Sequence, residues 1–183
     1  MSGTLSTRRP VLAVVGSSGS VDPALLEAAE ALGRAAIEAG FRLISGGRDG
    51  IMEAASRGAR SAPSWREGDV IGILPSYDRG QANRYCDVVI PTGLGLARNV
   101  VLVASADVVV AIAGGSGTLS EIALAWQLGK PVIGLDLGLG PAGGWGERAA
   151  GTAIDDRREG VVERARSAAE AITLATGLIG AAG

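Results

Sequence analysis

Residues 107–121 read DVVVAIAGGSGTLSE, and their pattern indicates the class of fold. It begins with an apolar, β-branched run, Asp107 to Ala113, that is typical of a buried strand. A glycine-rich turn, Gly114 to Gly117, follows, and a helical pattern begins at Thr118. A strand that passes through a glycine-rich turn into a helix is the repeating unit of α/β proteins with a parallel sheet.

The same succession recurs along the rest of the chain. Further strands are predicted at Val11 to Val15, Phe41 to Ile44, Asp69 to Leu74, Val88 to Ile90 and Lys130 to Leu135. Glycine-rich or polar turns and helical patterns separate them. Residues 137–146 are expected to form a loop, and Glu159 to Thr176 a terminal helix. The sequence predicts an α/β fold with a doubly wound, mostly parallel Rossmann-like sheet and helices on both faces. It forms one domain over residues 11–183, after a disordered segment over residues 1–10.

Composition narrows the classes of protein to which the chain could belong. It has 183 residues, of which 47% are hydrophobic, and a net charge of −2. Its apolar runs are shorter than the ~20 residues that a membrane helix needs. Residues 1–10 do not have the pattern of a secretory signal, so we expect a cytoplasmic protein. No strongly basic surface is expected, so neither nucleic acid nor a membrane is an expected partner.

The scarcity of certain residue types excludes several chemistries. The chain has no histidine, which removes Ser-His-Asp hydrolases and His-ligated zinc sites. Cys86 is the only cysteine, so no metal is expected. Lys130 is the only lysine. It lies at a predicted helix-to-strand junction, at the edge of the sheet opposite the strand-to-helix turns, which argues against a pyridoxal phosphate enzyme. The first turn, Gly16 to Gly19, is not a G-x-G-x-x-G motif, and the chain has no G-x-x-x-x-G-K-S/T motif, so NAD dehydrogenases and P-loop ATPases are not favoured.

The strand-to-helix turns carry the main functional signal. In a parallel sheet these turns lie at one edge, where backbone N–H groups and helix N-termini can hold an anion. A phosphate-bearing ligand is therefore expected there, and no other cofactor is required. The candidate ligand-binding residues are Gly16, Ser17, Ser18, Gly46, Gly47, Arg48, Thr92, Gly93, Arg98, Asn99, Gly114, Gly115, Ser116, Gly117, Thr118 and Glu121.

Two of these residues are candidates for catalysis, and each has a structural alternative. Glu121 could hold or polarise a sugar hydroxyl, but Thr118-Leu119-Ser120-Glu121 also fits a capping box, in which Glu121 only closes the helix. Arg98 is the one cation between Leu94 and Ala106. It could grip a phosphate through two parallel hydrogen bonds, or be a solvated helix charge.

Other polar residues near the turns also have two interpretations. Arg48 could contact phosphate or be a solvated charge, and Asp49 could cap the following helix. Asn99 and Thr92 could reach a sugar or shape their turns. Trp126, at helical spacing from Leu119 and Ile122, is assigned to the core or to a dimer contact rather than to base stacking.

Three motifs resemble a known family: SGGRDGIMEA at residues 45–54, PTGLGLARN at residues 91–99 and GGSGTLSE at residues 114–121. They are similar to the molybdenum cofactor carrier proteins, over about residues 11–136. These belong to a superfamily with the Lonely Guy phosphoribohydrolases, which release the base from cytokinin nucleoside monophosphates. Some of its members are called lysine decarboxylase-like, a reaction that the lysine argument opposes.

The Lonely Guy motif reads P-G-G-x-G-T-x-x-E, preceded by a catalytic arginine and a lysine. Residues 114–121 and Arg98 match it, but Ala113 replaces the proline, Asn99 replaces the lysine and no histidine precedes Arg98. The resemblance therefore implies the phosphate pocket more firmly than it implies hydrolysis.

Two hypotheses follow. In the first, the chain is a carrier-like homodimer or homotetramer that binds a nucleotide or the molybdenum cofactor. In the second, it is a phosphoribohydrolase in which Arg98 anchors the 5′-phosphate and Glu121 stabilises an oxocarbenium-like ribose or activates water. The motif departures favour the first. The apolar stretch from Leu96 to Ala104 and Trp126 indicate an oligomer.

Overall fold

The computed structural model describes residues 8–180, which form seven strands and six α-helices. The strands are β1 (Val11–Gly16), β2 (Arg42–Ser45), β3 (Val70–Leu74), β4 (Val88–Pro91), β5 (Val108–Ile112), β6 (Val132–Leu135) and β7 (Glu163–Ala165). The helices are α1 (Pro23–Glu38), α2 (Ile51–Ser61), α3 (Arg98–Ser105), α4 (Ser116–Gln127), α5 (Gly144–Ala149) and α6 (Ala168–Gly180). Short 3₁₀-helices lie at Arg79–Gln81, Gly95–Ala97 and Gly140–Gly143.

The seven strands form one parallel sheet in the order β4-β3-β2-β1-β5-β6-β7. The chain builds one half outward from β1 and then crosses to β5 to build the other half. This order confirms the predicted doubly wound parallel sheet. The point at which the order reverses lies between β1 and β5, where such sheets open a crevice at the carboxyl ends of their strands.

Both faces of the sheet are covered. Alternate residues of β1 point to opposite faces, because side chains alternate along a strand. Leu12 and Val14 pack with α1, α2 and α6, whereas Ala13 and Val15 pack with α3, α4 and α5. This double burial explains why the strand reads as a continuous apolar run. Trp126 of α4 is 3% exposed, and its Nε1 donates to Asp155, so it belongs to the core.

The prediction of a loop over residues 137–146 is wrong in part. The segment contains the 3₁₀-helix Gly140–Gly143 and the start of α5. Tertiary bonds hold α5 in place: Trp145 N donates to Gly114 O, and Gly146 N donates to Ala113 O. The carboxylate of Glu147 accepts from two loop N–H groups. A short helix of this kind depends on such contacts, and its glycine-rich sequence gives no helical signal.

The prediction of one helix from Glu159 to Thr176 is also wrong. Glu163–Ala165 forms the edge strand β7, which pairs with β6, and α6 begins only at Ala168. Ser167 Oγ accepts from Glu170 N, and Glu170 accepts from Arg166 N, which fixes the start of the helix. A three-residue polar strand at a sheet edge lacks the apolar pattern that identifies the inner strands.

The segment predicted to be disordered covers residues 1–10, of which residues 1–7 lie outside the described residues. Residues 8–10 are described. Arg8 donates to Asp107, and Arg9 donates to Asp69 and to the carbonyls of Gly40 and Phe41. Across residues 8–180, no helix has both the length and the apolar character needed to cross a membrane.

Candidate functional site

A cavity of about 240 Å³ lies at the carboxyl edge of the sheet, above β1 and beside the N-terminus of α4. We call it the turn pocket. It is lined by Gly16, Ser17, Ser18, Arg48, Met52, Pro75, Gly95, Leu96, Arg98, Asn99, Gly115, Gly117, Thr118 and Glu121. The structure therefore brings together residues from the turns that follow β1, β2 and β5, as the parallel sheet predicts.

The first turn is fixed by its neighbours. Ser17 Oγ accepts from Gly114 N at 3.0 Å, and Ser17 O accepts from Ile51 N at 3.0 Å. Gly50 lies directly beside this turn: its φ is 65°, and an added Cβ would lie 2.4 Å from Ser17 O. Only glycine allows this approach. The turns after β1, β2 and β5 are thus bound into one rigid rim.

The turn after β5 presents unused donors. Gly115 precedes α4 without a side-chain cap, and the first intrahelical bond from this turn is Leu119 N to Gly115 O. The N–H groups of the first turn of a helix have no intrahelical partner, and the helix dipole is positive there. Ala113, with a φ of 54°, is the one non-glycine residue with a left-handed conformation within residues 8–180. This end of α4 is suited to an anion.

The capping-box interpretation of Glu121 is wrong. Thr118 is the third residue of α4 rather than its cap, and its side chain packs against Gly114. Glu121 therefore lies in the second turn, too far along the helix to close it. Asp49 does not cap α2 either, because Gly50 occupies the cap position without a side-chain bond.

Arg98 and Glu121 form the centre of the pocket. Arg98 begins α3, and its Nη1 lies 3.7 Å from Oε1 of Glu121 on α4. Their side chains are 14% and 7% exposed. Arg98 Nη1 is buried, and no atom of residues 8–180 forms a hydrogen bond with it. The interpretation of Arg98 as a solvated helix charge is therefore wrong.

Burial dominates the electrostatics of this pair. It raises the pKa of Glu121 to about 7, although the charge of Arg98 acts in the opposite direction. Burial also lowers the pKa of Arg98, an effect that Glu121 opposes and Arg48 reinforces. Both shifts mean that the pocket desolvates the charges more than they stabilise each other. A buried cation with an unused donor is a site for an anionic ligand.

Gly46 supports the guanidinium of Arg98. A Cβ at Gly46 would lie 2.5 Å from Nη1 and 2.7 Å from Nη2 of Arg98, and 2.8 Å from Sδ of Met52. Gly46 therefore does not line the pocket but forms the floor on which Arg98 lies. Gly47, Gly114 and Ser116 likewise belong to the turns without lining the cavity.

Asn83 was not among the predicted site residues. Its N donates to Gly47 O at 2.7 Å, and its Nδ2 donates to Arg48 O at 3.0 Å. It thus fixes the turn that carries Arg48 to the pocket. Asn83 lies in a connection without helical or strand periodicity, so no sequence signal identified it.

The polar side chains of Asn99 and Thr92, which were predicted to contact a ligand, form hydrogen bonds within the protein. Asn99 is 6% exposed, and its Nδ2 donates to Ser120 Oγ, which in turn donates to Gly117 O. Asn99 therefore lines the pocket and also ties α3 to α4. Thr92 Oγ1 donates to Leu74 O and accepts from Leu94 N, so Thr92 shapes its turn.

The turn after β4 approaches the pocket through residues that were not predicted. Thr92 and Gly93 do not line it, and the ring of Tyr77 covers Gly93. Gly95 and Leu96 take their place on the rim, and the side chain of Leu96 is 87% exposed. The 3₁₀-helix Gly95–Ala97 advances the chain toward the pocket, which turn signals alone do not show.

The chain is similar in sequence and in fold to several known proteins. The model of the SLOG cluster4 family matches residues 9–175. The molybdenum cofactor binding protein of the phototrophic bacterium Rippkaea orientalis is 37% identical, with a TM-score of 0.81 over 95% of this chain and 99% of that one. The molybdenum cofactor carrier protein of Chlamydomonas reinhardtii is 33% identical, with a TM-score of 0.79 over 94% of this chain and 99% of that one.

A weaker similarity connects the chain to an enzyme. A cytokinin riboside 5′-monophosphate phosphoribohydrolase of Mycobacterium marinum is 31% identical over 137 residues, which are 70% of this chain and 71% of the enzyme. The similarities therefore include both classes of protein that the motifs indicated.

Proposed function

The chain belongs to the SLOG cluster4 family, and from this membership and the geometry of the turn pocket we propose that it binds a phosphate-bearing small molecule as a carrier-like protein. The ligand is a nucleotide or a pterin cofactor of the molybdenum cofactor kind. Its phosphate lies between Arg98 and the N-terminus of α4. Binding needs no general base and leaves the ligand chemically unchanged.

One observation carries this proposal. The Nη1 atom of Arg98 is buried in the wall of the pocket, and it has no hydrogen-bond partner in the part of the chain that the structure describes. A buried, unsatisfied donor costs about 1–3 kcal/mol, and more when it is charged. A phosphate oxygen would satisfy it, and the first N–H groups of α4 would complete the anion site. Arg48, which also lines the pocket, adds a second positive charge.

The size of the cavity determines how the ligand is held. At about 240 Å³ it is below the ~300–1,000 Å³ usual for small-molecule sites. It encloses a phosphate and part of its neighbouring group, but not a whole nucleotide or pterin. The ring then extends across the rim, where Pro75 and the exposed Leu96 provide apolar contacts.

The pterin alternative is supported by the two structural neighbours, which are a molybdenum cofactor binding protein and a molybdenum cofactor carrier protein. This chain covers 99% of each of those chains. Nearly every part of these two binding proteins therefore has a structural counterpart in this chain.

A phosphoribohydrolase is the second candidate, and the pairing of Arg98 with Glu121 favours it. A carboxyl group with a pKa of about 7 is suited to proton transfer near neutral pH. In this alternative, Arg98 holds the 5′-phosphate and Glu121 acts at the N-glycosidic bond. The M. marinum relative has this activity by name.

Two features place this alternative second. Proline fixes φ near −65°, so the proline that starts the Lonely Guy motif cannot adopt the φ of 54° observed at Ala113. Asn99, which replaces the motif lysine, has its Nδ2 bound to Ser120 and supplies no second cation beside Arg98. The residues around the pair thus differ from those of the hydrolase motif.

The experiment is a thermal shift screen against nucleoside monophosphates and molybdopterin, followed by calorimetry. A ligand at a hundredfold excess over its Kd raises stability by about 2.7 kcal/mol. Gly115→Asp should abolish binding without unfolding the chain, because a side chain there meets no atom within 4 Å and enters the pocket. Gly177→Asp, an exposed glycine of α6, is the matched control. Undiminished affinity of Gly115→Asp would show that the ligand binds elsewhere.

A further inference from the structure

A second concave surface lies away from the turn pocket. It has a volume of about 470 Å³ and is lined by Arg57, Arg60, Ser61, Arg84 and Tyr85. We call it the arginine groove. The C-terminal half of α2 forms one wall, and the segment before β4 forms the other. It shares no lining residue with the turn pocket.

The arginines of the groove are held in place by different partners. Arg57 donates from Nε and Nη2 to Glu30 of α1. The guanidinium of Arg60 lies 4.6 Å from the centre of the Trp65 ring, and that of Arg84 lies 5.0 Å from the centre of the Tyr85 ring. These contacts limit the motion of the guanidinium groups before any ligand binds, which reduces the entropy cost of binding.

Their hydrogen-bonding capacity is mostly unused. Among the described residues, the one ionic partner of Arg60 is Asp87, at 3.5 Å, and Asp87 already accepts hydrogen bonds from Trp65 and Val70. Arg84 donates one hydrogen bond, to the hydroxyl of Tyr85. A guanidinium has five N–H donors, so several donors of these two side chains are left without a protein acceptor in residues 8–180.

The carboxylates nearby do not fill the groove. Glu30 is engaged by Arg57, and Asp87 is 2% exposed beneath Arg60. The hydrogen bond to Glu30 raises the pKa of Arg57, and the hydrogen bond to Tyr85 raises that of Arg84. Glu53, one helical turn before Arg57, adds a smaller rise to both but does not line the groove. The lining itself therefore has cationic and hydroxyl groups, and no acidic side chain.

We propose that the arginine groove is a second anion-binding site, which takes a small phosphate-bearing anion independently of the turn pocket. Planar guanidinium groups bind phosphate oxygens through paired hydrogen bonds. The hydroxyls of Ser61 and Tyr85 provide further polar contacts on the same surface. Arginines line both walls of the groove, so a diphosphate, which has two phosphoryl groups, matches it better than a single phosphate.

The test is calorimetric titration of pyrophosphate into the full chain that carries Gly115→Asp, which blocks the turn pocket. Binding should persist in this variant. Adding Arg84→Gln or Arg60→Gln should weaken it about tenfold each, the loss expected for one charge-assisted hydrogen bond. Arg34→Gln is the matched control, because it removes an equal charge from the exposed face of α1.

Three results would overturn the proposal: no binding to the wild type, binding that Gly115→Asp abolishes, or an equal loss in Arg34→Gln. If Gly115→Asp proves unfolded by circular dichroism, Arg98→Ala serves as the second pocket-deficient background. Because the groove is measured with the turn pocket disabled, its failure is separate from failure of the proposed ligand binding.

A second titration with ADP identifies the source of the phosphate. Equal affinities for ADP and pyrophosphate indicate that the groove recognises phosphoryl groups alone. Tighter binding of ADP indicates that the nucleoside also contacts the groove, for example by stacking on Tyr85. Either result supports the site, whereas binding of neither anion contradicts it.

Discussion

Nη1 of Arg98 lies 3.7 Å from Oε1 of Glu121, and within residues 8–180 this Nη1 has no hydrogen-bond partner. The two residues belong to different helices, α3 and α4, which are tied together by Asn99 and Ser120. Helix packing therefore sets this distance. A buried pair held in this way is costly when a partner is removed, because the remaining charge has no replacement. The mutations below separate what each group does for the ligand from what it does for the fold.

Arg98→Ala should weaken a nucleoside monophosphate much more than the matching nucleoside. The lost interaction is a charge-assisted hydrogen bond to phosphate, so we expect about a 10–100-fold loss for the phosphorylated ligand. Calorimetry with AMP and adenosine measures the difference. Arg98→Lys keeps the charge but loses the planar fork, and should recover only part of the affinity. Equal losses for both ligands would assign Arg98 to the fold or to an interface.

Gly46→Ala should reduce phosphate binding by displacing the guanidinium of Arg98. The added Cβ would lie 2.5 Å from Arg98 Nη1, and the end of a long side chain can move away more easily than backbone can. Arg98 then leaves its position, so binding of AMP should fall about as far as in Arg98→Ala. A double-mutant cycle is the control, since Gly46→Ala should have almost no effect when Arg98 is already alanine. Additive losses would show that Gly46 acts by another route.

The stability of the protein should depend on pH through Glu121. Its pKa rises from an ordinary 4.5 to about 7 on folding because of burial. The folded state therefore retains the proton more strongly, and the stability contributed by this group is present at low pH and lost as pH rises toward 7. We expect the free energy of unfolding to fall by about 2–3 kcal/mol between about pH 5 and pH 8, relative to Glu121→Gln. Urea unfolding of both proteins measures it, and parallel pH profiles would contradict it.

Much of the fold could be predicted because its strands are buried on both faces. Continuous apolar runs such as Val108–Ile112 and glycine-rich turns such as Gly114–Gly117 are local signals, and they located six of the seven strands. Strand β7 and helix α5 were not predicted because they depend on tertiary contacts. Strand β7 depends on its pairing with β6. Helix α5 depends on the hydrogen bonds of Trp145 and Gly146 to the turn after β5. Local sequence does not contain that information.

Part of the site could also be predicted from the sequence. Parallel topology brings the turns after β1, β2 and β5 together, and Arg98 and Glu121 stood out by charge and spacing. The sequence could not show that α4 begins two residues before Thr118. This start places Glu121 in the second turn of the helix, where it lines the pocket instead of capping the helix. Met52, Pro75 and Leu96 reach the pocket only through three-dimensional packing. Asn83 acts through two backbone carbonyls, so its residue type alone indicates no role.

The chain should form a dimer or a tetramer through the exposed apolar side chains around α3. Leu94, Leu96 and Val100 are 52%, 87% and 47% exposed, whereas Trp126 is buried and contributes no such surface. Val100→Asp should shift the protein toward an 18.3 kDa monomer in sedimentation at micromolar concentration. Val161→Asp, at an exposed apolar residue of a distant loop, should leave the assembly unchanged. A wild type that sediments as a monomer would reject the interface.

Glu121→Gln should separate the carrier from the hydrolase. If the chain is a carrier, the wild type releases no free base from AMP or from prenylated adenosine monophosphate. The variant then binds these ligands with only a mild change in affinity, since glutamine still meets a sugar hydroxyl. If it is a hydrolase, the variant binds normally but base release collapses, because an amide can neither take a proton from water nor stabilise developing positive charge. Chromatography of the free base measures both, with Gly115→Asp as the pocket-blocked control. We expect no meaningful turnover. Steady, multiple-turnover release by the wild type that disappears in both variants would instead establish the phosphoribohydrolase.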